Sequence, residues 1–194
     1  MQAQLDDFIP VNSGAARDRI ASLDTLARLD SAQCEAMFAG AEGFPFESLV
    51  GHPRGRVLAI PGRDQGAVGA LMRALHASPA WIWEGKSFAT RRGAVEGVGI
   101  NRIRWFWRRA VFPFRTYPTA SLVDGKPCFA IDYDLPQNPP RVRPIYDEVR
   151  RVDSGLYLGR GMRRTSRPTP HLVLWFALDA SIPDAPVEFA DRGR

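Results

Sequence analysis

The stretch FRTYPTASLVDGKPCFAIDY, residues 114–133, is typical of a β-hairpin. Apolar and polar side chains alternate on both sides of Asp124-Gly125, and such a dipeptide between two alternating runs is the strongest short-range signal for a tight turn. Alternation with a period of two places successive side chains on opposite faces of a strand. The stretch therefore predicts two antiparallel strands, Phe114 to Val123 and Cys128 to Tyr133.

Similar runs lie on both sides of this hairpin, separated by clusters of Gly, Pro, Asp and Ser. The further predicted strands are 56–60, 81–88, 97–105, 145–152, 155–160 and 171–178. Seven or eight strands at this spacing predict a mainly β fold, an antiparallel barrel or strongly curved sheet, because closure removes exposed edges. The run 171–178 is apolar on both faces and must be covered on both.

Helical periodicity is confined to two regions. Apolar residues recur at three- and four-residue steps over 17–38, where Ser22 and Asp30 supply cap chemistry for two short helices, and again over 65–76. We expect the first pair to pack over one end or side of the barrel. The chain is interpreted as one domain, 1–194, with a helical segment at 17–38, a β-rich barrel at 56–178 and a tail at 181–194.

Composition excludes several classes of protein. Hydrophobic residues make up 45% of the chain and charged residues 24%, which is typical of a globular protein. No apolar run approaches the roughly 20 residues of a spanning helix. Residues 1–10 carry two aspartates and no basic residue, so neither a secretory signal nor a transit peptide is expected and the predicted location is the cytoplasm.

Motifs for metal and cofactor chemistry do not occur in the sequence. Cys34 and Cys128 are far apart, and His52, His76 and His171 each lack a partner at metal-ligand spacing. There is no P-loop, dinucleotide fingerprint or nucleophile elbow. We therefore expect no metal and no cofactor, although ligation of haem by His171 at the start of an apolar strand stays open.

Polar side chains that suit acid–base work concentrate in three predicted strands. In 145–152, Tyr146, Glu148 and Arg150 share one face, and Ile145, Asp147 and Val149 share the other. Whichever of these two faces points into the barrel, it carries a carboxylate inward, where a charge needs a partner. The group forms either an ion-paired belt or a ligand-binding or acid–base cluster. The candidate catalytic residues are Asp132, Tyr133, Glu148 and Arg150, and the candidate ligand-binding residues are Trp81, Trp83, Lys86, Phe88, Trp105, Tyr146, Asp147, Tyr157 and Trp175.

The order of several short motifs resembles the GXWXG-domain family. The motifs are Leu23-Asp24-Thr25-Leu26, the link 38–43, Trp83-Glu84-Gly85-Lys86-Ser87-Phe88, Tyr146-Asp147, and Leu158-Gly159-Arg160-Gly161-Met162. The motif that names the family does not occur at 37–43. The resemblance implies a calycin-like barrel, related in shape to lipocalins and fatty-acid-binding proteins.

Positive charge is concentrated in the β-rich part. The net charge is +5, but residues 1–53 hold eight acidic and three basic side chains, so the rest carries about +10. In the segment Arg102–Arg109 arginine is interleaved with aromatic residues. This pattern is typical of weak contact with an anionic membrane. It is equally typical of a strand that points Ile103, Trp105 and Trp107 inward and has no partner. Binding to nucleic acid is disfavoured.

Three functional hypotheses follow. The first is lipocalin-like binding of a small apolar or amphipathic molecule, with an acidic group, in the barrel cavity. The second is a cofactor-independent isomerase, cyclase or hydratase, in which Tyr133 or Tyr146 donates a proton, Asp132, Asp147 or Glu148 accepts one, and Arg150 or Lys86 holds an oxyanion. The third is a peripheral module for anionic membranes.

Overall fold

The chain folds into a closed barrel of eight antiparallel strands in sequential order, β1 to β8, with β8 returning to β1. The computed structural model describes residues 22–44, 49–78, 82–90, 94–104 and 108–181. The elements are α1 (Leu23–Leu26), α2 (Ser31–Gly40), β1 (Arg54–Ala59), α3 (Gly66–Ala77), β2 (Trp83–Thr90), β3 (Gly97–Arg104), β4 (Arg108–Ala120), β5 (Pro127–Asp132), β6 (Ile145–Asp153), β7 (Leu156–Arg163) and β8 (His171–Asp179). The predicted fold class is confirmed.

The strand registers define the two ends of the barrel. The hairpin at Asp124-Gly125 joins β4 to β5 as expected, with Ala120 opposite Pro127. It lies at the same end as the turn between β6 and β7. At the other end, which we call the mouth, β3 ends and β4 begins, β5 ends and β6 begins, and β7 ends and β8 begins.

Short helices cover part of the outer wall. Ser22 caps α1, and α2 opens with a capping box in which Asp30 and Gln33 satisfy each other's backbone N–H groups. Both helices pack on β7, β8 and β1 through a cluster that includes Leu26, Phe38 and Trp175. None of the described helices has the length and hydropathy that crossing a membrane requires.

Both faces of β6, of β7 and of the second half of β8 are buried, one face in the barrel interior and the other on the covered outer wall. The barrel interior is filled mainly by aromatic and aliphatic side chains. This interior core consists of Leu49, Phe88, Phe114, Phe129, Ile131, Tyr133, Val149, Tyr157, Phe176 and Leu178.

Candidate functional site

Four polar side chains form a network in the barrel interior. Lys86, Asn101, Tyr133 and Asp147 come from β2, β3, the end of β5 and β6, and all are buried. Lys86 Nζ lies 3.2 Å from Asp147 Oδ2, and it donates to Asn101 Oδ1 at 3.0 Å and to the Tyr133 hydroxyl. The hydroxyl also accepts from Asn101 Nδ2 at 3.0 Å and donates to Asp147 Oδ2 at 3.4 Å. We call these residues the interior polar network.

The Lys86 ammonium is enclosed by aromatic rings. Its Nζ lies between 5.0 and 5.6 Å from four ring centroids, those of Trp83, Phe114, Tyr133 and Phe176. A cation within about 6 Å of a ring face is attracted by the ring quadrupole. The rings thus replace part of the hydration that the ammonium loses inside the barrel.

A β-bulge places Lys86 inside. The β2–β3 register shifts between Trp83 and Gly85, so Trp83 and Lys86 both face the interior although they are three positions apart, an offset that puts side chains on opposite faces of a regular strand. Gly85 has φ +135°, and a Cβ there would lie 2.4 Å from the Pro53 carbonyl oxygen. Only glycine fits this close approach.

Burial shifts the ionisation of the network. Loss of hydration lowers the pKa of Lys86, and Asp147 opposes this by favouring the charged ammonium. Loss of hydration raises the pKa of Asp147, and Lys86 opposes that shift. The pKa of Tyr133 is well above its ordinary value, because burial and the nearby Asp147 both disfavour a phenolate. The phenol therefore keeps its proton at neutral pH.

An apolar pocket of about 280 Å³ opens at the mouth and ends on this network. Its walls come from β2 to β6 and the loop before β6. They are Trp83, Asn101, Ile103, Phe112, Tyr133, Val142 and Ile145. Trp83 Nε1 donates to Asn101 Oδ1 at 3.2 Å, which links the pocket wall to the network. The pocket can take an apolar group, with the polar network behind its floor.

Phe112 is the strained residue of this wall. Its φ is +57°, in the left-handed region, which is unusual for a bulky side chain. It lies at the bulge where the β3–β4 register shifts, and its carbonyl accepts from Asn101 Nδ2 at 3.3 Å. Strain of this kind concentrates at functional sites, and here it coincides with the pocket.

Exposed arginines surround the mouth. They lie next to pocket residues in the sequence, at the start of β4, or where β7 ends and β8 begins. The set is Arg104, Arg109, Arg141, Arg143, Arg163 and Arg167. Arg143 is 2.7 Å from Asp134, whereas Arg141 has no ion-pair partner among the residues that the structure describes. Arg102 does not belong to this set, because it is buried and donates to the carbonyls of His52 and Pro53.

Glu148 and Arg150 lie on the opposite side of the wall from the pocket. Asp147 takes the inward position, so both side chains point outward beneath α2 and the β4–β5 hairpin. Arg160 is 2.8 Å from Glu148, and Arg150 is 2.7 Å from Asp124. Both guanidinium carbons lie 4.4 Å from the centre of the Phe38 ring. The arrangement is an ion-paired belt that holds α2 and the hairpin on the barrel.

Three other candidates also face away from the interior. Asp132 accepts from Arg164 at 2.9 Å on the outer wall, and Tyr146 packs beneath the same guanidinium at 4.2 Å. Trp175 packs against Phe38 with ring centroids 5.6 Å apart. Trp175, named as a candidate ligand-binding residue, therefore does not face the barrel interior, because the helices bury it from outside.

The remaining aromatic candidates divide between the interior and undescribed segments. Phe88 and Tyr157 both lie in the interior core. The ring centroids of Phe88 and Phe114 are 5.4 Å apart, and those of Tyr157 and Phe44 are 4.7 Å apart. Trp81, Trp105 and Trp107 lie outside the described residues. Sequence reasoning missed Asn101, Phe112, Val142 and Ile145 as pocket residues. The alternation of β3 does place Asn101 and Ile103 on one face, but only the structure shows that this face is the inner one.

Three other possible ligand sites lack the combination of an apolar pocket and buried polar side chains. A larger groove of about 690 Å³ lies on the outer surface between α2 and the β6–β7 turn. Among the described residues no three His, Cys, Asp or Glu side chains converge as metal ligands. His171 is exposed at the start of β8 and does not line the mouth pocket.

Comparisons with known proteins support the fold alone. No family model matches the chain, so the resemblance to the GXWXG-domain family gains no support. No curated protein matches it either. A crystal structure of a protein from Thermomonospora curvata is similar, with 19% sequence identity, a TM-score of 0.50, and coverage of 78% of this chain and 87% of that one.

Proposed function

We propose that the chain binds a small amphipathic acid, with its apolar part in the mouth pocket and its anionic group at the arginine rim. The observation that carries this proposal is the combination of apolar walls with a cationic rim at one end of a closed barrel. Apolar pockets with a few placed polar groups are the usual form of a small-molecule site. The barrel fold is compatible with binding of this kind.

The pocket volume limits the ligand. About 280 Å³ lies just below the usual range of roughly 300–1,000 Å³ for drug-sized ligands. The liquid volume of a water is about 30 Å³, so the space corresponds to roughly nine waters. A short-chain or single-ring acid fits this size better than a long fatty acid does.

Arg141 is the rim residue best placed to take the anionic group. It directly precedes Val142 of the pocket wall, its side chain is exposed, and no acid among the described residues pairs with it. A guanidinium binds a carboxylate through two parallel hydrogen bonds. A charge-assisted bond of this type is worth about 1.5–3 kcal/mol when shielded, and less at an exposed rim.

Calorimetric titration with octanoate, benzoate and the neutral analogue octanol tests the proposal. We expect octanoate to bind more tightly than octanol and to shift the emission of Trp83. Arg141→Gln should lower octanoate affinity about fivefold to tenfold and leave octanol unchanged, whereas Lys126→Gln in the β4–β5 hairpin, at the far end, should change neither. Val142→Phe should abolish both by filling the pocket. Equal affinity for octanoate and octanol, unaffected by Arg141→Gln, would contradict recognition of the anionic group at the arginine rim. Absence of binding by any of the probes would contradict ligand binding in the pocket.

A second candidate function is cofactor-independent catalysis in the same pocket. The observation that favours it is that Tyr133 lines the pocket while Lys86 donates to its hydroxyl and Asp147 accepts from it. A phenol that stays protonated because its pKa is raised can donate a proton to a strongly basic centre, such as a carbanion or enolate, that forms on the ligand. An isomerase or hydratase incorporates hydrogen from solvent, so mass spectrometry of a bound ligand after incubation in D₂O should show deuterium with the wild type and none with Tyr133→Phe. Equal labelling by both proteins would contradict a role of this hydroxyl.

A further inference from the structure

The helix α3 presents an uncovered apolar face. Val68, Leu71 and Leu75 are 58%, 69% and 47% exposed, where leucine and valine of a helix are normally packed. Their spacing puts them on one side of the helix. The alanines of the same side, Ala67, Ala70 and Ala74, are exposed as well.

The opposite side of α3 packs against the barrel. Gly69 and His76 are buried, and a Cβ on Gly69 would lie 2.2 Å from the Asp64 carbonyl oxygen. The helix contacts β1, and Asp64 accepts from the Ser31 backbone N–H at 2.6 Å. Because α3 is held in this orientation, its apolar side points to solvent.

This face belongs to the mouth end. The helix leaves the end of β1 and leads to β2, whose first residue, Trp83, lines the mouth pocket. Two further apolar side chains are partly exposed there, Ile82 at 40% and Phe112 at 39%. The Arg104 backbone N–H donates to the Ile82 carbonyl, which ties this edge to the arginine rim.

The surroundings are basic. Arg63, in the loop before α3, is exposed, and Arg104 and Arg109 are exposed at the end of β3 and the start of β4. An apolar helix face flanked by arginines is the arrangement that binds at the interface of an anionic bilayer, where apolar burial and attraction to lipid phosphates act together. We propose that the mouth face, defined by α3, Ile82, Phe112 and these arginines, docks on anionic lipid membranes.

A second copy of the chain fits this surface less well. A helix of 12 residues covers a footprint of about 18 by 10 Å, whereas a stable protein interface buries about 800 Å² on each partner. Two mouth faces would also bring arginines against arginines. An anionic lipid surface neutralises the same charges. Docking needs no ligand in the pocket, so it is separable from the proposed function.

Vesicle flotation of the full chain tests the proposal. We expect binding to phosphatidylcholine vesicles containing 30 mol% phosphatidylglycerol at low salt, little binding to phosphatidylcholine alone, and loss of binding at about 0.5 M NaCl, where charges are screened. Leu71→Asp should weaken binding at least tenfold. Val98→Asp makes the same kind of change at a residue that is 51% exposed near the far end and should leave binding unchanged.

The charge contribution is tested separately. The pair Arg63→Gln and Arg104→Gln should weaken binding by about fivefold for each arginine, while Lys126→Gln with Arg151→Gln, at the far end, should have no effect. Leu71→Asp should bind octanoate with the affinity of the wild type, which would show that membrane docking and ligand binding in the pocket are independent. Absence of binding to the anionic vesicles at low salt, or binding unchanged by Leu71→Asp, would overturn the proposal. A dimer in sedimentation velocity that Leu71→Asp dissociates would also overturn it, in favour of self-association.

Discussion

Replacing Lys86 by Met should be strongly destabilising. The ammonium and the Asp147 carboxylate are 4% and 6% exposed and 3.2 Å apart, so the variant leaves a buried carboxylate without its cation. One-sided removal of a buried pair costs about 3–5 kcal/mol, which for a domain of this size lowers Tm by roughly 6–20 °C. Urea unfolding at pH 7.5, followed by circular dichroism, measures the change in free energy of unfolding.

The pH dependence of this variant has a definite sign. Without Lys86, the pKa of Asp147 in the folded state rises further above the unfolded value, because the group that opposed the effect of burial is gone. The folded variant then binds a proton more readily than the unfolded chain, so its stability increases as the pH falls toward the ordinary Asp pKa of about 3.9. We expect the deficit relative to the wild type to shrink between pH 7.5 and pH 4.5.

A surface pair provides the matched control. Arg143 and Asp134 are closer, at 2.7 Å, but 46% and 49% exposed, so Arg143→Met should cost less than about 1 kcal/mol. The double variant Lys86→Met with Asp147→Leu should recover most of the loss, because an apolar pair replaces the ionic one. A cost below 1 kcal/mol for Lys86→Met, or a double variant no more stable than the single one, would refute the reasoning.

Three further predictions concern the scaffold. Glu148→Gln should lower the free energy of unfolding by about 1.5–3 kcal/mol, since it removes the buried carboxylate that accepts two hydrogen bonds from Arg160 and leaves only the more distant Glu35 and Asp124. Octanoate titration should be unchanged; unchanged stability with lost octanoate binding would assign the belt a role in binding. Gly85→Ala should prevent folding or lower Tm sharply, because of its φ of +135° and its contact with the neighbouring backbone; a variant with wild-type Tm would contradict the bulge. The pKa values of Cys34 and Cys128 are both raised to about 12 by burial, so neither thiol should react with iodoacetamide at pH 8 until urea is added. Rapid labelling of the native chain would show that the thiols are accessible.

Local patterns predicted the elements well because each depends on neighbouring residues. The Asp124-Gly125 hairpin, the strand near 54–60 and the helix near 65–77 follow from turn chemistry and periodicity alone. The Asp30 cap is likewise local, because its partner in the capping box, Gln33, lies only three residues further along the chain. The sequence predicted either a closed barrel or a strongly curved sheet, and the pairing of β8 with β1 shows that the sheet is closed.

The candidate site was predictable only in part. Lys86, Tyr133 and Asp147 were all named from the sequence, and the structure brings them together. Asp132 and Glu148 were named with them but lie on the outer wall. No feature of the sequence separated the two groups, because both contain carboxylates in alternating strands.

The sequence by itself determined the strands, their two faces and the basic character of the β-rich part. The tertiary structure alone decided which face is the interior. Hydropathy cannot distinguish the faces of β6 and β7, because α2 and the hairpin bury the outer face as completely as the core fills the inner one. The bulge at Gly85 then turns Lys86 and Trp83 to the same side. Both effects arise from contacts between residues far apart in the chain, so a pattern read along the sequence does not contain them.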